Sequence, residues 1–290
     1  MQLPTIESTA RVADFSAAHA PALTVQPGQR FAMETHDRFA GMDEESPRGP
    51  HDVDGLVGPV AIAGAKAGDI LAIDVIGIRP RFEHAYMLGS TGFGVLGERM
   101  QLRARKVAIT ETTIHYDNNT ILPWRPMIGK LGIAPAGSAQ ASNTVGEFGG
   151  AVSCTEVAPG ATLLLPVACD GALLSIEDVH GTMGDGEATA SAVEMPARVM
   201  MRCRLNPAPT LPAPLLLTGT EVLTLGSGET LDAACMHANE QMLALIMARR
   251  NVDLTEAGLL AGAVVDFRVS YFGGKPRKAR AAISRTLLGF

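Results

Sequence analysis

Apolar positions in the first two thirds of the chain fall in short runs separated by turn residues, a pattern of strands rather than helices. Residues 60–62 are one such piece. Ala65-Lys66-Ala67-Gly68-Asp69 reads as a turn. Residues 70–78 are then almost continuously apolar and β-branched, which predicts a strand buried on both faces and stopped at Pro80. The module recurs: Ala158-Pro159-Gly160-Ala161 is a turn, and residues 162–167 and 171–176 are apolar again. This is an internal echo rather than a repeat. Pro207, Pro209, Pro212 and Pro214 make residues 205–217 an extended connector, because proline fixes φ and donates no hydrogen bond. It divides a mainly β region, 1–205, from an α/β part, 206–290, packed with the first. In that part Leu231, Ala234, Cys235, Ala238, Met242, Leu245 and Ile246 fall on one helical stripe. Thr230 is placed to cap its start, and Arg249 and Arg250 suit the dipole at its end. Asp253 opens a second helix, with Glu256 completing a capping box. Residues 264–271 read as a strand, so the tail is strand–helix–helix–strand.

Composition narrows the function. The chain has 290 residues, 47% of them hydrophobic and 19% charged, which excludes a disordered chain. A formal net charge of −6 and only 4% aromatics argue against a nucleic-acid binder. The basic run at 275–280 (Lys275, Arg277, Lys278, Arg280) is accordingly read as a solvated face. No apolar stretch approaches the ~18 residues that span a membrane. Residues 1–7 show no basic segment followed by a long apolar one, so the expectation is a cytoplasmic protein. Cys154, Cys169, Cys203 and Cys235 are scattered and read as reduced, mostly buried thiols.

The richest chemical segment is Asp178-Val179-His180-Gly181-Thr182-Met183-Gly184-Asp185-Gly186-Glu187. Asp178 and His180 share a face if the preceding strand continues. Asp185 and Glu187 repeat the spacing after a glycine-bounded turn, so a tight hairpin brings three carboxylates to one imidazole. That much negative charge calls for a cation or for protonated carboxyls. Imidazole with carboxylates suits Zn²⁺, and surplus carboxylates also suit Ca²⁺ or Mg²⁺. The bland alternative is an exposed acidic hairpin. Glu34-Thr35-His36-Asp37 is a second cluster, at the end of an alternating run 30–33, with a helix cap or surface loop as its plain reading. Glu147, ahead of Gly149-Gly150, is a third candidate acid, and a glycine pair lets backbone N–H groups approach a ligand. Gly92-Phe93-Gly94-Val95-Leu96-Gly97 matches a dinucleotide fingerprint in letters only, with no good strand before it and no apolar helix after it. No serine sits in a nucleophile elbow. His19, His51, His84, His115 and His237 lack acidic partners at recognisable spacing.

These residues resemble the acetamidase/formamidase family. Gly171-Ala172-Leu173-Leu174-Ser175 through Asp178, His180 and Gly184-Asp185-Gly186-Glu187 is similar to its GAL-S-x-x-D-x-H-x-x-x-GDGE stretch. Glu34-Thr35-x-Asp37, Gly58-Pro59-Val60 with Gly64-Ala65-x-x-Gly68-Asp69-x-Leu71, Pro126-x-x-Gly129 with Gly132-x-Ala134-Pro135, and Gly149-Gly150 match further family patterns in order, over roughly residues 30–275. The family's GGN-x-D pattern is broken, with Ala151 and Ser153 at the Asn and Asp positions. The resemblance implies a mainly β fold with β-sandwich and barrel-like parts. It implies a metal-supported amidohydrolase acting on small amides or γ-lactams, usually as a homodimer or larger.

Under that reading Asp37, Asp178 and His180 are the expected metal ligands, with Zn²⁺ the first choice. A metal-bound water is the expected nucleophile, Glu187 or Glu147 the base, and Asp185 a ligand or an orienter of His180. The Gly149-Gly150 backbone is the expected oxyanion donor. Smaller side chains at 151 and 153 predict a roomier, less polar pocket that favours bulkier or cyclic amides over formamide. Two rivals stand beside this: a non-catalytic binding protein with structural Ca²⁺, and an enzyme with Cys154 as nucleophile.

Overall fold

The computed structural model describes residues 3–39, 55–205 and 214–290. Pro207, Pro209 and Pro212 of the expected connector lie outside the described residues. The architecture is mainly β. One nine-stranded sheet runs in the order Thr5–Ile6, Arg30–Glu34, Ala197–Leu205, Ile70–Pro80, Thr162–Pro166, Leu215–Leu217, Glu221–Gly228, Arg277–Ser284 and Asp266–Tyr271. A seven-stranded sheet contains Val145–Gly146, Gly149–Gly150, Met127–Gly132, Leu174–His180, Leu56–Ile62 and Arg11–Val12, with Leu23–Val25 pairing parallel to Leu56–Ile62. A four-stranded sheet is formed by Ile121–Pro123, Thr113–His115, Arg103–Ile109 and His84–Gly89.

The two large sheets share one core. Leu71, Ile73, Leu163 and Leu165 from the first meet Val57, Ile128, Leu131 and Ile176 from the second. The alternate residues Ile70, Ala72 and Leu164 point the other way, into a second core under the helices with Met242, Leu245 and Ile246. Strand Ile70–Pro80 is therefore buried on both faces over its first half, as its continuous apolar run predicts. Strand Leu174–His180 starts later than expected. Gly171, Ala172 and Leu173 all have positive φ and form the turn that leads into it.

The helices follow their stripe and caps. Helix Leu231–Arg250 begins at Thr230, whose side chain accepts from the Ala233 amide, and it buries Ala234, Ala238, Met242, Leu245 and Ile246. Helix Leu254–Val264 is capped by Asp253 accepting from the Glu256 amide. It runs to Val264, so the following strand begins only at Asp266. The basic run is not a solvated face. Lys278 and Arg280 are 5% and 1% exposed, because strand Arg277–Ser284 is interior to the nine-stranded sheet and turns both side chains inward. A strand, His84–Gly89, does precede the glycine-rich 92–97 segment, but a 3₁₀ turn and another strand follow it, not a helix.

Strand Glu221–Gly228 and the long helix approach closely at Gly226, where an added Cβ would lie 2.1 Å from the Ala234 carbonyl and 2.4 Å from the Ala238 amide nitrogen. Thr224 Oγ1 donates to the Ala238 carbonyl beside it, at 2.7 Å. Gly226→Ala is expected to wedge the helix off the sheet and to destabilise by at least ~1–3 kcal/mol, the usual range for overpacking. Urea unfolding of the variant against the parent chain checks this, and an unchanged midpoint would contradict the packing described.

Candidate active site

Strand Leu174–His180 builds the site. It pairs with Met127–Gly132 so that Ile128 faces Val179 and Lys130 faces Glu177, leaving Gly129 beside Asp178. Asp178 has φ +66°, left-handed backbone in a non-glycine residue inside a strand. Its carboxylate fills the space that a side chain at Gly129 would need, since a Cβ there would lie 2.7 Å from Oδ2. His180 follows, fully buried. Glu194 is brought to it by an isolated antiparallel bridge and is anchored on the other side by a two-way backbone bridge to Tyr86.

One ligand-type atom from each of Asp178, His180 and Glu194 lies within 4.8 Å of the others. His180 Nε2 is 3.2 Å from Glu194 Oε1 and 3.7 Å from Asp178 Oδ1. Yet neither ring nitrogen is in hydrogen-bonding geometry with any described residue. Arg38 donates to Asp178 Oδ1 and lies 3.7 Å from Glu194 Oε2. Burial works against charge on both Asp178 and His180, but the opposite charges win. Arg38, His180 and Lys130 hold the Asp178 carboxyl well below the usual range, and Glu194 and Asp178 raise the His180 pKa well above 6.5.

Asp178 and Glu194 of this cluster line a cavity of about 320 Å³. Glu187 lines it from the 184–190 turn, with φ +40°. Burial pushes its carboxyl up to about 7, against the pull of His180 and Lys278. Ala151 and Ser153 form part of the same wall, and so do Lys130 and Lys278. Lys275 lines the cavity as well, so the pocket that the small side chains at 151 and 153 face carries three lysines.

The other candidate residues are placed differently. Asp37 accepts from the Phe39 amide at 3.1 Å, closing its own short turn, and is not in the Asp178–His180–Glu194 group; its neighbour Arg38 makes the reach instead. Both Asp185 oxygens are 2.8 Å from Arg280 Nη2, and Oδ1 also accepts from Thr155, so Asp185 does not join the imidazole. Glu147 is exposed and lines a separate cavity of about 470 Å³ with His237 and Gln241. Gly149 and Gly150 are paired between Leu131–Gly132 and Val145–Gly146, and their missing side chains serve that close ladder: a Cβ on Gly150 would sit 2.2 Å from the Thr144 carbonyl. Cys154 is buried, donates to Glu156 at 3.1 Å, and has its thiol pKa raised by burial and by that carboxylate, so it is no activated nucleophile. His19 does have an acidic partner, Asp14, at 2.6 Å. Glu194 is the residue that spacing missed. Its one trace in the sequence is a lone acid in the otherwise apolar stretch Ala192-Val193-Glu194-Met195.

Comparison with known proteins agrees with this fold. Residues 137–209 match the model of the Acetamidase/Formamidase family. An acetamidase from Bacillus halodurans is 30% identical over 99% of this chain and 100% of its own, with a TM-score of 0.93. A predicted acetamidase/formamidase from Thermoanaerobacter tengcongensis is 28% identical over 99% and 97%, with a TM-score of 0.94. A gamma lactamase from Delftia acidovorans, 18% identical over 97% and 90% with a TM-score of 0.60, shares the fold alone. No curated protein matches the chain significantly. The chain belongs to the acetamidase/formamidase family.

The Gly129–Asp178 contact gives a direct check. Gly129→Ala introduces a methyl group where the carboxylate lies, without a backbone φ that excludes alanine. That methyl also meets the Asp178 carbonyl at 2.8 Å, so the variant is expected to fold with reduced stability and to lose about 10²-fold in turnover of the amide that the parent chain hydrolyses, the cost of misplacing a site group by ~1 Å. Circular dichroism and steady-state kinetics read the two effects, and parent-like turnover would show that Asp178 need not occupy that space.

Proposed function

We propose that the chain hydrolyses the C–N bond of small non-peptide amides, open-chain or lactam, with a divalent cation held by Asp178, His180 and Glu194. The observation that carries this is the fully buried His180 ring, whose nitrogens make no hydrogen bond among the described residues although two carboxylates that line a cavity lie 3.2 and 3.7 Å from Nε2. One imidazole and two carboxylates fit Zn²⁺ best, with Ca²⁺ or Mg²⁺ as the oxygen-preferring alternatives. A cation there supplies Lewis acidity, which lowers the pKa of a water and polarises a carbonyl. Amide hydrolysis is the chemistry in the names of the acetamidase and formamidase relatives, and it suits a site with no serine elbow and an inert Cys154.

The chain's own groups have separable tasks. Glu187 faces the same cavity and takes the proton of the attacking water, then returns it to the departing nitrogen. Arg280 grips Asp185 two residues earlier and holds the turn that aims Glu187. Arg38 orients the Asp178 and Glu194 carboxylates. Cavity walls limit water access around these charges, which strengthens each interaction.

Metal analysis of the purified chain, with a panel of acetamide, butanamide and a γ-lactam assayed with and without chelator, tests the proposal. Chelation and His180→Ala are expected to abolish turnover. Glu187→Gln is expected to retain metal and lose ~10²–10⁴-fold in kcat, the usual share of a general base. Full activity in metal-free protein would overturn the proposal, and bound metal with no turnover would favour the binding-protein reading. The pH profile follows from the same residue. Its pKa lies above the ordinary 4.5, and only the carboxylate accepts a proton, so kcat/KM is expected to fall as pH drops through a limb at or below about 7. A bound cation moves that limb down, since it favours the charged form. An acid limb that Glu187→Gln leaves unchanged in its residual activity would remove Glu187 from the role.

A further inference from the structure

Among the described residues, the cationic side chains that line the cavity outnumber its carboxylates, which are Asp178, Glu187 and Glu194. Four cationic side chains line it: Arg38, Lys130, Lys275 and Lys278. Arg38 is committed to Asp178 and Glu194, and Lys275 pairs with Glu229 at 2.8 Å. Lys130 is only 7% exposed and makes no hydrogen bond or close ion pair with any described residue. Its strand neighbour Glu177 does not answer it, for Glu177 Oε2 is itself without a hydrogen-bond partner. Lys278 is 5% exposed, and its one hydrogen bond among the described residues runs to Ser153 Oγ at 3.2 Å, a neutral acceptor. Its ammonium also lies 4.7 Å from the centre of the Tyr271 ring. Among the described residues of the cavity wall, Glu187 is the single carboxylate not already held by Arg38, and the ammonium that acts on it is that of Lys278. Ser153 stands where the GGN-x-D pattern carries its acid, and Ala151 leaves the wall beside it open.

Asp178 and Glu187 attract these ammonium groups only from a distance; burying an ammonium without a hydrogen-bonded carboxylate is costly, and two that share one wall also repel each other. A carboxylate on the ligand removes both penalties, because charge-assisted N–H···O bonds are about twice as strong as neutral ones. A cavity of about 320 Å³ holds more than a three-heavy-atom amide.

We propose that Lys130 and Lys278, with Ser153, form a subsite for a carboxylate carried by the substrate, so that the preferred substrates are short amides bearing an acid, such as the monoamides of dicarboxylic acids. This rests on the hydrolase reading for turnover, but not for binding. The C–N bond breaks by addition of water, the amide leaves ammonia and a second carboxylate, and the acid at the subsite is unchanged.

Two measurements on the full chain separate this inference from the hydrolase reading. The first compares kcat/KM for succinamate and butanamide, which match in length and differ in the terminal acid. Succinamate is expected to be preferred by roughly 10- to 100-fold, the worth of a hydrogen bond to a charged group. Lys130→Met, with Lys130→Gln as a second variant, is expected to cut that ratio at least ~10-fold. The second is calorimetric binding of succinate to the parent chain and the variants. Succinate binding that weakens in both variants, even with no amide turned over, supports the subsite while the hydrolase reading fails. Butanamide hydrolysed as well as succinamate, or a ratio that survives both substitutions, overturns the subsite while the hydrolase reading stands.

Discussion

A fully buried imidazole beside two partly buried carboxylates is stable only where local positive charge and exact backbone placement meet, and the centre of this molecule is arranged around that demand. Asp178 reaches its position through a left-handed backbone residue at the end of an interior strand. The neighbouring strand gives up a side chain at Gly129 to receive it. Glu194 arrives on a segment bridged to both His180 and Tyr86, so it is fixed from two sides. Arg38, just beyond strand Arg30–Glu34, meets both carboxylates. The double-sided burial of strand Ile70–Pro80 and its neighbours makes the frame rigid enough to hold such a strained point.

What could be read from the sequence was whatever depends on local periodicity. The apolar run at 70–78, the stripe from Leu231 to Ile246 and the caps at Thr230 and Asp253 each report a contact within a few residues, and each has its counterpart in the fold. Asp178 and His180 sit on one strand, so their proximity was legible too. Glu194 was not, because one isolated bridge, rather than any repeat, places it at His180. Asp185 has the right local spacing to join the imidazole, but a guanidinium 95 positions later takes its carboxylate. Charges at Lys278 and Arg280 look like a solvated strand face. Their burial follows from partners and a cavity supplied by distant parts of the chain.

The family resemblance and the residues diverge at one place. Where the shared pattern carries Asn and Asp, this chain has Ala151 and Ser153, and both lie on the cavity wall. An acid missing beside buried lysines changes the net charge that the pocket presents to a ligand, while Asp178, His180 and the Gly184-Asp185-Gly186-Glu187 turn still match the family pattern. The proposed chemistry and the proposed selectivity thus fall on different elements: the end of strand Leu174–His180 for the first, and the wall formed by strands Met127–Gly132 and Arg277–Ser284 for the second.

Anomalous diffraction from crystals of the protein grown with zinc bears most directly on the cluster. The expected result is one strong peak coordinated by a His180 ring nitrogen, an Asp178 oxygen and a Glu194 oxygen, at the ~2.0–2.2 Å usual for such ligands. A peak centred on Asp37 or Asp185 instead, or none near His180 in protein shown to bind zinc in solution, would contradict the assignment of these three residues as the metal site.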